Sequence, residues 1–159
     1  MNNSTFSPPA EDRYFEDYVP GSVCEFGSIV MEEKEMIDFA TRYDPQAFHT
    51  DPDAARKSVF GGLIASGWHT GAVSMRLLVD HYLSRVASLG SLGVDELRWL
   101  KPVRPGDELS IRVAVLQARR SQSKPDRGIV RSLREVMNQN REGVMSRTAV
   151  NIVRCRNAT

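Results

Sequence analysis

The most informative part of the chain is the stretch of residues 39–78, FATRYDPQAFHTDPDAARKSVFGGLIASGWHTGAVSMRLL. Its first half is polar and contains prolines, which predicts a loop over residues 44–62 with a short helical turn after Pro52. In its second half apolar residues such as Ile64, Trp68 and Met75 recur at helical spacing, and the repeat continues beyond the stretch. We therefore predict a loop followed by a long helix over residues 63–83.

The segments on either side of this stretch predict strands and one more helix. Residues 32–43 have an apolar helical face and an acidic first turn, and this helix must end near Asp44 because Pro45 disfavours helical geometry at the preceding residue. Strands are predicted over residues 22–30, 94–100, 108–118, 129–138 and 143–153. A run of antiparallel strands beside one long helix is typical of α+β proteins, in which the sheet lies over the helix. Small residues such as Gly67 and Gly71 indicate that the sheet approaches that helix closely.

The length and composition indicate a single globular domain. The chain has 159 residues, and we predict a flexible N-terminal arm over residues 1–20 followed by one domain over residues 21–159. Two cysteines without a Cys-x-x-Cys motif fit a reducing compartment, and no run of about 18 apolar residues occurs. We therefore expect a soluble, cytoplasmic protein with no membrane partner.

The charged residues are unevenly distributed along the chain. Residues 1–53 carry 12 acidic and 3 basic side chains, whereas residues 54–159 carry 8 acidic and 18 basic ones. Two interpretations stay open: a solvated surface of uneven sign, and a cationic rim that attracts an anionic ligand. The basic residues are dispersed rather than clustered, so nucleic acid is not an expected partner.

Asp44 and His49 are the best candidates for chemistry. They lie five residues apart in the proline-containing loop, where an acid and an imidazole can act on one water molecule. The alternative to this catalytic interpretation is that Asp44 only caps the preceding helix and that His49 is an ordinary surface histidine. The other two histidines, His69 and His81, lie within the predicted long helix, where packing is the more common role. No spacing typical of a metal site occurs, so no metal is expected.

The stretch of residues 39–78 resembles the signature of the MaoC-like dehydratases, which include the (R)-specific enoyl-CoA hydratases. That signature is Asp-x-Asn-Pro-x-His-x-Asp, followed by Ala, by Phe-Gly, and by Ile-x-x-Gly at the start of a helix. This chain supplies Asp44, His49, Asp51, Ala54 or Ala55, Phe60-Gly61, Ile64 and Gly67. The resemblance extends over roughly residues 20–155. It departs at Gln46-Ala47, where the family has Asn-Pro, and at Ser66 and Trp68 beside the helix glycine.

The resemblance implies a fold and an activity. The fold is the hotdog fold, a curved antiparallel sheet wrapped around one long central helix, and such domains usually pair as homodimers. The activity is the addition or removal of water at the 2,3-position of an acyl thioester, carried out by Asp44 and His49. The alternatives are a hotdog thioesterase and a non-catalytic acyl-thioester binding protein.

The resemblance also implies roles for residues around Asp44 and His49, which together form the proposed catalytic dyad. The backbone N–H of Gly67 would stabilise charge on the thioester oxygen, near the positive end of the helix dipole. The residues expected to contact the substrate are Phe48, Phe60, Ser66 and Trp68. No cofactor is implied, because coenzyme A or acyl carrier protein forms part of the substrate.

Overall fold

Five strands, four α-helices and two single-turn 3-10 helices (Ala10–Asp12 and Phe15–Asp17) make up the part of the chain that the computed structural model describes, residues 8–157. The helices are α1 (Glu33–Tyr43), α2 (Ala47–Thr50), α3 (Pro52–Arg56) and α4 (Gly67–His81). The strands are β1 (Val23–Val30), β2 (Ser88–Trp99), β3 (Glu108–Arg120), β4 (Arg127–Met137) and β5 (Gly143–Arg154). No helix within residues 8–157 is long and apolar enough to cross a membrane.

The strands form one antiparallel sheet in the order β1-β3-β4-β5-β2. In β3 the apolar residues Leu109, Ile111, Val113 and Val115 alternate with more exposed ones and are almost completely buried, as strand periodicity predicts. They belong to the same core cluster as Leu77 and Leu78 of α4. The curved sheet thus encloses the central helix, which confirms the predicted α+β hotdog fold.

Helix α4 begins at Gly67, four residues later than predicted, and ends at His81 instead of residue 83. Residues 63–66 are not helical because their backbone bonds to other segments. The N–H of Ile64 donates to the carbonyl of Phe48 (3.2 Å), and that of Ala65 donates to the carbonyl of Val103 (2.9 Å). Gly67 is therefore the first residue of the helix, a position that residue periodicity alone did not locate.

Strand β2 is six residues longer at its start than the predicted strand 94–100. The missed segment contains Gly90 and Gly93, which are disfavoured in strands and which here adopt φ values of 100° and 142°. The register with β5 shifts on either side of Ser91, so this part of the strand is bulged. β2 lies at one edge of the sheet and is exposed along most of its length.

Residues 10–18 pack against the domain, which differs from the predicted loose arm over residues 1–20. Arg13 is 2% exposed, and its guanidinium donates to the carbonyls of His81 (3.0 Å) and Tyr82 (2.7 Å). The Tyr18 hydroxyl also donates to the Tyr82 carbonyl (2.8 Å). These donors satisfy carbonyls that the end of α4 leaves without helical partners, which explains the ordered packing. The part of the predicted arm over residues 1–7 lies outside the described residues.

Candidate active site

Asp44 and His49 lie in contact at the junction of α1 and α2. Asp44 caps the end of α1, which cannot continue through Pro45, and His49 lies in the single turn α2 rather than in an irregular loop as predicted. Asp44 Oδ2 is 3.3 Å from His49 Nε2. The chain thus brings a carboxylate and an imidazole together within five residues.

The imidazole of His49 is held in one orientation by the extended segment before α4. Its Nδ1 lies 2.8 Å from the carbonyl oxygen of Ile64, and the side chain is buried at 6% exposure. Because a carbonyl can only accept, Nδ1 carries the hydrogen. In the neutral ring Nε2 then carries a lone pair that faces Asp44, where it can accept a proton.

The carboxylate of Asp44 accepts two further hydrogen bonds. The Gln46 side-chain amide donates to Oδ1 (2.7 Å), and the Ser66 hydroxyl donates to Oδ2 (2.8 Å). The bond from Gln46 is the main reason that the pKa of Asp44 lies below its ordinary value; Ser66 and His49 lower it further, while burial opposes them. Asp44 is therefore ionised at neutral pH.

The first backbone N–H groups of α4 remain available beside this pair. The N–H groups of His69 and Thr70 donate to the Ser66 carbonyl, whereas those of Gly67 and Trp68 have no acceptor within residues 8–157. α4 has 15 residues, and its aligned peptide dipoles favour negative charge at this end. The helix start can therefore accommodate a partly charged oxygen.

The dyad and the helix start open onto one cavity of about 400 Å³. It is lined by Asp44, His49, Phe60, Ile64, Ala65, Gly67, Trp68, Thr70, Trp99, Leu100, Lys101, Pro102, Val103 and Val144. Most of these side chains are apolar, so the cavity suits a hydrocarbon chain with one reactive polar group.

Gly67 also has a steric reason to be glycine. A Cβ built at Gly67 would lie 2.3 Å from atoms Cε2 and Nε1 of the Trp99 indole. Trp99 meets Trp68 edge to face, with ring centroids 5.1 Å apart, and Trp68 is 60% exposed. The two indoles therefore flank the helix start, and Trp99 needs the space that a side chain at residue 67 would fill.

The residues predicted to contact a substrate divide into two groups. Phe60 and Trp68 line the cavity. Phe48 does not, since it packs against the rings of His49 and Phe60 at centroid distances of 4.5 and 5.1 Å. Ser66 is fully buried under Asp44, to which it donates. Phe48 and Ser66 thus support the dyad from outside the cavity.

Several residues at the site were not predicted from the sequence. The cavity wall formed by Trp99, Leu100 and Val103 comes from the end of β2 and the turn after it, which is distant in sequence. Gln46 had been noted only as a departure from the family signature. Gln46 stands where the signature has Asn, and this shared side-chain amide was the one signal in the sequence for its contact with Asp44.

The remaining histidines serve packing in this structure. His69 is buried and stacks on Phe39 at 4.7 Å between centroids, with Nε2 3.8 Å from Glu35 Oε1. Burial lowers the pKa of His69. His81 stacks on Phe26 at 5.2 Å. Within residues 8–157 no cluster of His, Cys, Asp or Glu has the composition of a metal site.

One cationic side chain from the basic half of the chain lines the cavity, and a second braces one of its walls. Lys101 lines it and pairs with Glu142. Arg104 donates to the carbonyls of Phe60 and of Gly62 (3.1 Å to the latter), and so holds the loop that forms one wall. Both cations are therefore engaged with the protein itself, Arg104 with backbone carbonyls and Lys101 with Glu142.

Fold and site together define a hotdog domain with a carboxylate–imidazole pair at the N-terminus of its central helix. The MaoC-like domain matches residues 14–136, and the chain belongs to this family. It is 30% identical to the uncharacterized protein YdeM of Bacillus subtilis over 124 residues, which cover 78% of this chain and 86% of YdeM.

Solved structures show the same fold. The MaoC-like dehydratase from Rhodospirillum rubrum is 41% identical, with a TM-score of 0.82, over 91% of this chain and 99% of that one. The (R)-hydratase PhaJ1 from Pseudomonas aeruginosa is 24% identical, with a TM-score of 0.72, over 91% of this chain and 86% of that one. At 24% identity the likeness to PhaJ1 concerns the fold alone.

Proposed function

We propose that this protein is a hydratase or dehydratase that adds or removes water at the 2,3-position of an acyl thioester, converting trans-2-enoyl-CoA to (R)-3-hydroxyacyl-CoA or the reverse. The observation that carries the proposal is the Asp44–His49 contact of 3.3 Å in the lining of a largely apolar cavity. Family membership and the 41% identity to the MaoC-like dehydratase from Rhodospirillum rubrum support the same class of reaction.

In the hydration direction one water molecule in the cavity contacts both Asp44 Oδ2 and His49 Nε2, which are 3.3 Å apart. The lone pair of Nε2 takes a proton from the water while its oxygen bonds to C3 of the substrate. The 2,3-double bond becomes a single bond, and the dyad returns a proton to C2. The ionised Asp44 stabilises the imidazolium that forms in between, because the opposite charges are in contact.

The negative charge that builds on the thioester oxygen is stabilised by the start of α4. The Gly67 N–H is the proposed donor, because it has no other acceptor within the described residues and lies beside the dyad in the cavity lining. A donor of this kind typically contributes about 10²–10³-fold to kcat. Glycine leaves room for Trp99 on one side, so the carbonyl is confined between backbone and indole.

The acyl group of the substrate is carried on coenzyme A or acyl carrier protein, and the reaction as proposed needs no further cofactor. Phe60 and Trp68 would contact the acyl group or the thioester from the cavity wall. We also propose a homodimer. β2 is an exposed edge strand with apolar side chains, including Leu92 and Val94, and edge strands of this kind favour pairing with a second copy.

The test is turnover of purified protein on matched thioesters. A series of trans-2-enoyl-CoA substrates, followed by loss of absorbance of the conjugated thioester, should show hydration, and Asp44→Asn should abolish most of it. Chiral analysis of the product should give the (R)-3-hydroxyacyl form. Asp126→Asn, the same carboxylate-to-amide change in the β3–β4 loop outside the cavity lining, is a control that should retain activity.

The two alternatives give different results in the same experiment. A thioesterase would release free coenzyme A from saturated and unsaturated acyl-CoA alike, without forming a 3-hydroxyacyl product. A binding protein would turn over neither substrate, while its thermal unfolding would shift on addition of acyl-CoA. Either result would refute the proposed hydratase.

A further inference from the structure

Two arginines lie side by side in the interior, under the central helix. Arg134 of β4 and Arg147 of β5 are directly paired across the two strands, and both side chains are on the face that covers α4. They are 2% and 5% exposed. Like charges at directly opposed positions repel each other, and burial makes each charge costly.

Within residues 8–157 the hydrogen-bond partners of this arginine pair are all neutral. Arg134 donates to Asn151 Oδ1 and to Ser132 Oγ (3.2 Å to the latter) and lies over the Tyr82 ring at 5.6 Å. Arg147 donates to Ser74 Oγ (3.0 Å) and approaches the Met145 sulfur (3.7 Å).

A guanidinium is too strong a base to lose its proton in a protein, so both arginines are charged at neutral pH. Burial, and to a lesser extent repulsion from Arg134, lower the pKa of Arg147 to about 10, which is still well above neutrality. Neither guanidinium is ion-paired with an aspartate or glutamate of the described chain. A buried guanidinium is stabilised most strongly by an anion, and here the described chain supplies only neutral partners.

Arg147 bonds to α4 one turn beyond the last residue of that helix that lines the cavity. Thr70 lines the cavity, and Ser74, the acceptor for Arg147, follows one turn later on α4. Ser74 is seven residues after Gly67, or about 10 Å along the helix axis. An acyl chain whose thioester oxygen is bound by the Gly67 N–H, and which extends along α4 past Thr70, thus points toward Arg147.

The Met145 side chain contacts both α4 and Arg147. Its terminal methyl lies 3.5 Å from where a Cβ of Gly71 would be, and its sulfur is next to Arg147. The preceding residue, Val144, lines the cavity. Methionine has a flexible, unbranched side chain, so it can move aside for a ligand at lower cost than a branched residue.

We propose that the arginine pair binds a carboxylate at the far end of the acyl chain, so that the preferred substrates are CoA thioesters of unsaturated dicarboxylic acids of medium length. This assignment rests on the hydratase function proposed above and specifies its substrate class. The acyl chain occupies the apolar cavity, Met145 moves aside, and the terminal carboxylate replaces the missing protein anion. The Arg147 fork can donate two hydrogen bonds to the two carboxylate oxygens.

The test compares each trans-2-enoyl-CoA that ends in a carboxylate with its methyl ester, over a series of chain lengths. The acid and ester have nearly the same shape and differ in charge. At the best length the wild-type protein should show a kcat/KM about 10–100-fold higher for the acid, the range expected for hydrogen bonds between charged groups. Arg147→Met should remove this preference by lowering kcat/KM for the acid while hydrating the ester within a few-fold of wild type.

Two matched variants separate charge from structure. Arg147→Lys keeps a positive charge and should retain part of the preference for the acid. Arg154→Met changes an exposed arginine of the same strand and should leave the preference intact. Hydration of the ester by Arg147→Met reports that this variant is folded. Should it not fold, thermal unfolding of wild-type protein with saturated acid and ester thioesters gives an independent measurement, in which the acid should raise Tm more.

Several results would overturn the assignment. The dicarboxylate assignment is refuted if wild-type protein has equal kcat/KM for acid and ester at every chain length. It is also refuted if Arg147→Met lowers kcat/KM by the same factor for both substrates. A rise in Tm with sodium phosphate that depends on Arg147, combined with equal use of acid and ester, would assign the arginine pair to a free anion instead. These outcomes leave the proposed hydratase intact, whereas a protein that hydrates no enoyl thioester refutes the hydratase and the dicarboxylate assignment together.

Discussion

Replacing His49 in two different ways should separate its structural contact from its proposed catalytic one. Nδ1 donates to the buried Ile64 carbonyl at 2.8 Å, while Nε2 faces Asp44 Oδ2 at 3.3 Å. His49→Ala removes both nitrogens. His49→Asn retains an amide N–H near the position of Nδ1 and removes only the nitrogen that faces Asp44.

The two variants should differ in stability and agree in activity. His49→Ala leaves the Ile64 carbonyl without its donor and opens a small cavity, and should lower the free energy of unfolding by about 2–4 kcal/mol. His49→Asn should stay within about 1 kcal/mol of wild type. Both should lose about 10²–10⁴-fold in kcat, the range for a general acid–base group.

Urea unfolding measures the first quantity, and loss of enoyl-thioester absorbance measures the second. The combination with Asp44→Asn adds a further check, because two groups that act on one water molecule should not have additive effects. The double variant Asp44→Asn/His49→Asn should therefore be little slower than the slower single variant. His69→Ala is the matched control on a histidine outside the dyad, and it should keep its activity within a few-fold.

A folded His49→Asn protein with undiminished hydration would refute the proton-transfer role of Nε2. Loss of activity only in His49→Ala, in proportion to its instability, would leave His49 as a structural residue that holds the Ile64 carbonyl. Full additivity of the Asp44 and His49 effects would show that the two side chains act in separate steps.

Further predictions concern the residues around the dyad and the assembly. Gln46→Ala removes the main cause of the lowered pKa of Asp44, so the acid limb of the kcat/KM profile should move to higher pH; an unmoved limb would exclude this influence. Gly67→Ala should lower stability by roughly 1–3 kcal/mol because the new methyl meets Trp99, and a Gly67→Ala/Trp99→Ala double variant should recover part of that loss in urea unfolding. Arg13→Ala should cost roughly 2–4 kcal/mol of unfolding free energy, because three backbone carbonyls lose a charged donor. Light scattering at micromolar concentration should give the mass of a dimer, and a monomer mass would contradict the proposed pairing.

The elements that could be predicted from the sequence are those with strong local signals. α1 was located to within one residue because an apolar face and Pro45 define it, and the alternation in β3 identified its buried face. The first part of β2 was missed because its glycines oppose the local strand signal, and only pairing with β5 holds it in the sheet.

The candidate site was predictable where its residues are neighbours in sequence. Asp44 and His49 are five residues apart, and the structure brings them into contact. Trp99 and Val103 come from a distant strand and turn, so their place in the cavity depends on tertiary packing. The same holds for Arg134 and Arg147, whose opposition follows from the β4–β5 register rather than from any short motif.

The extended segment over residues 63–66 connects the local and the tertiary parts of the site. Had the helix begun at residue 63, the Ile64 carbonyl would bond within the helix and could not orient His49. Gly67 would then be an interior residue whose N–H is used by the helix ladder. Because Phe48 and Val103 hold this segment extended, one backbone feature orients the imidazole, positions Ser66 beneath Asp44 and leaves the Gly67 N–H at the helix start. The late start of α4 is thus the structural condition on which the proposed acid–base pair and the proposed oxyanion donor both depend.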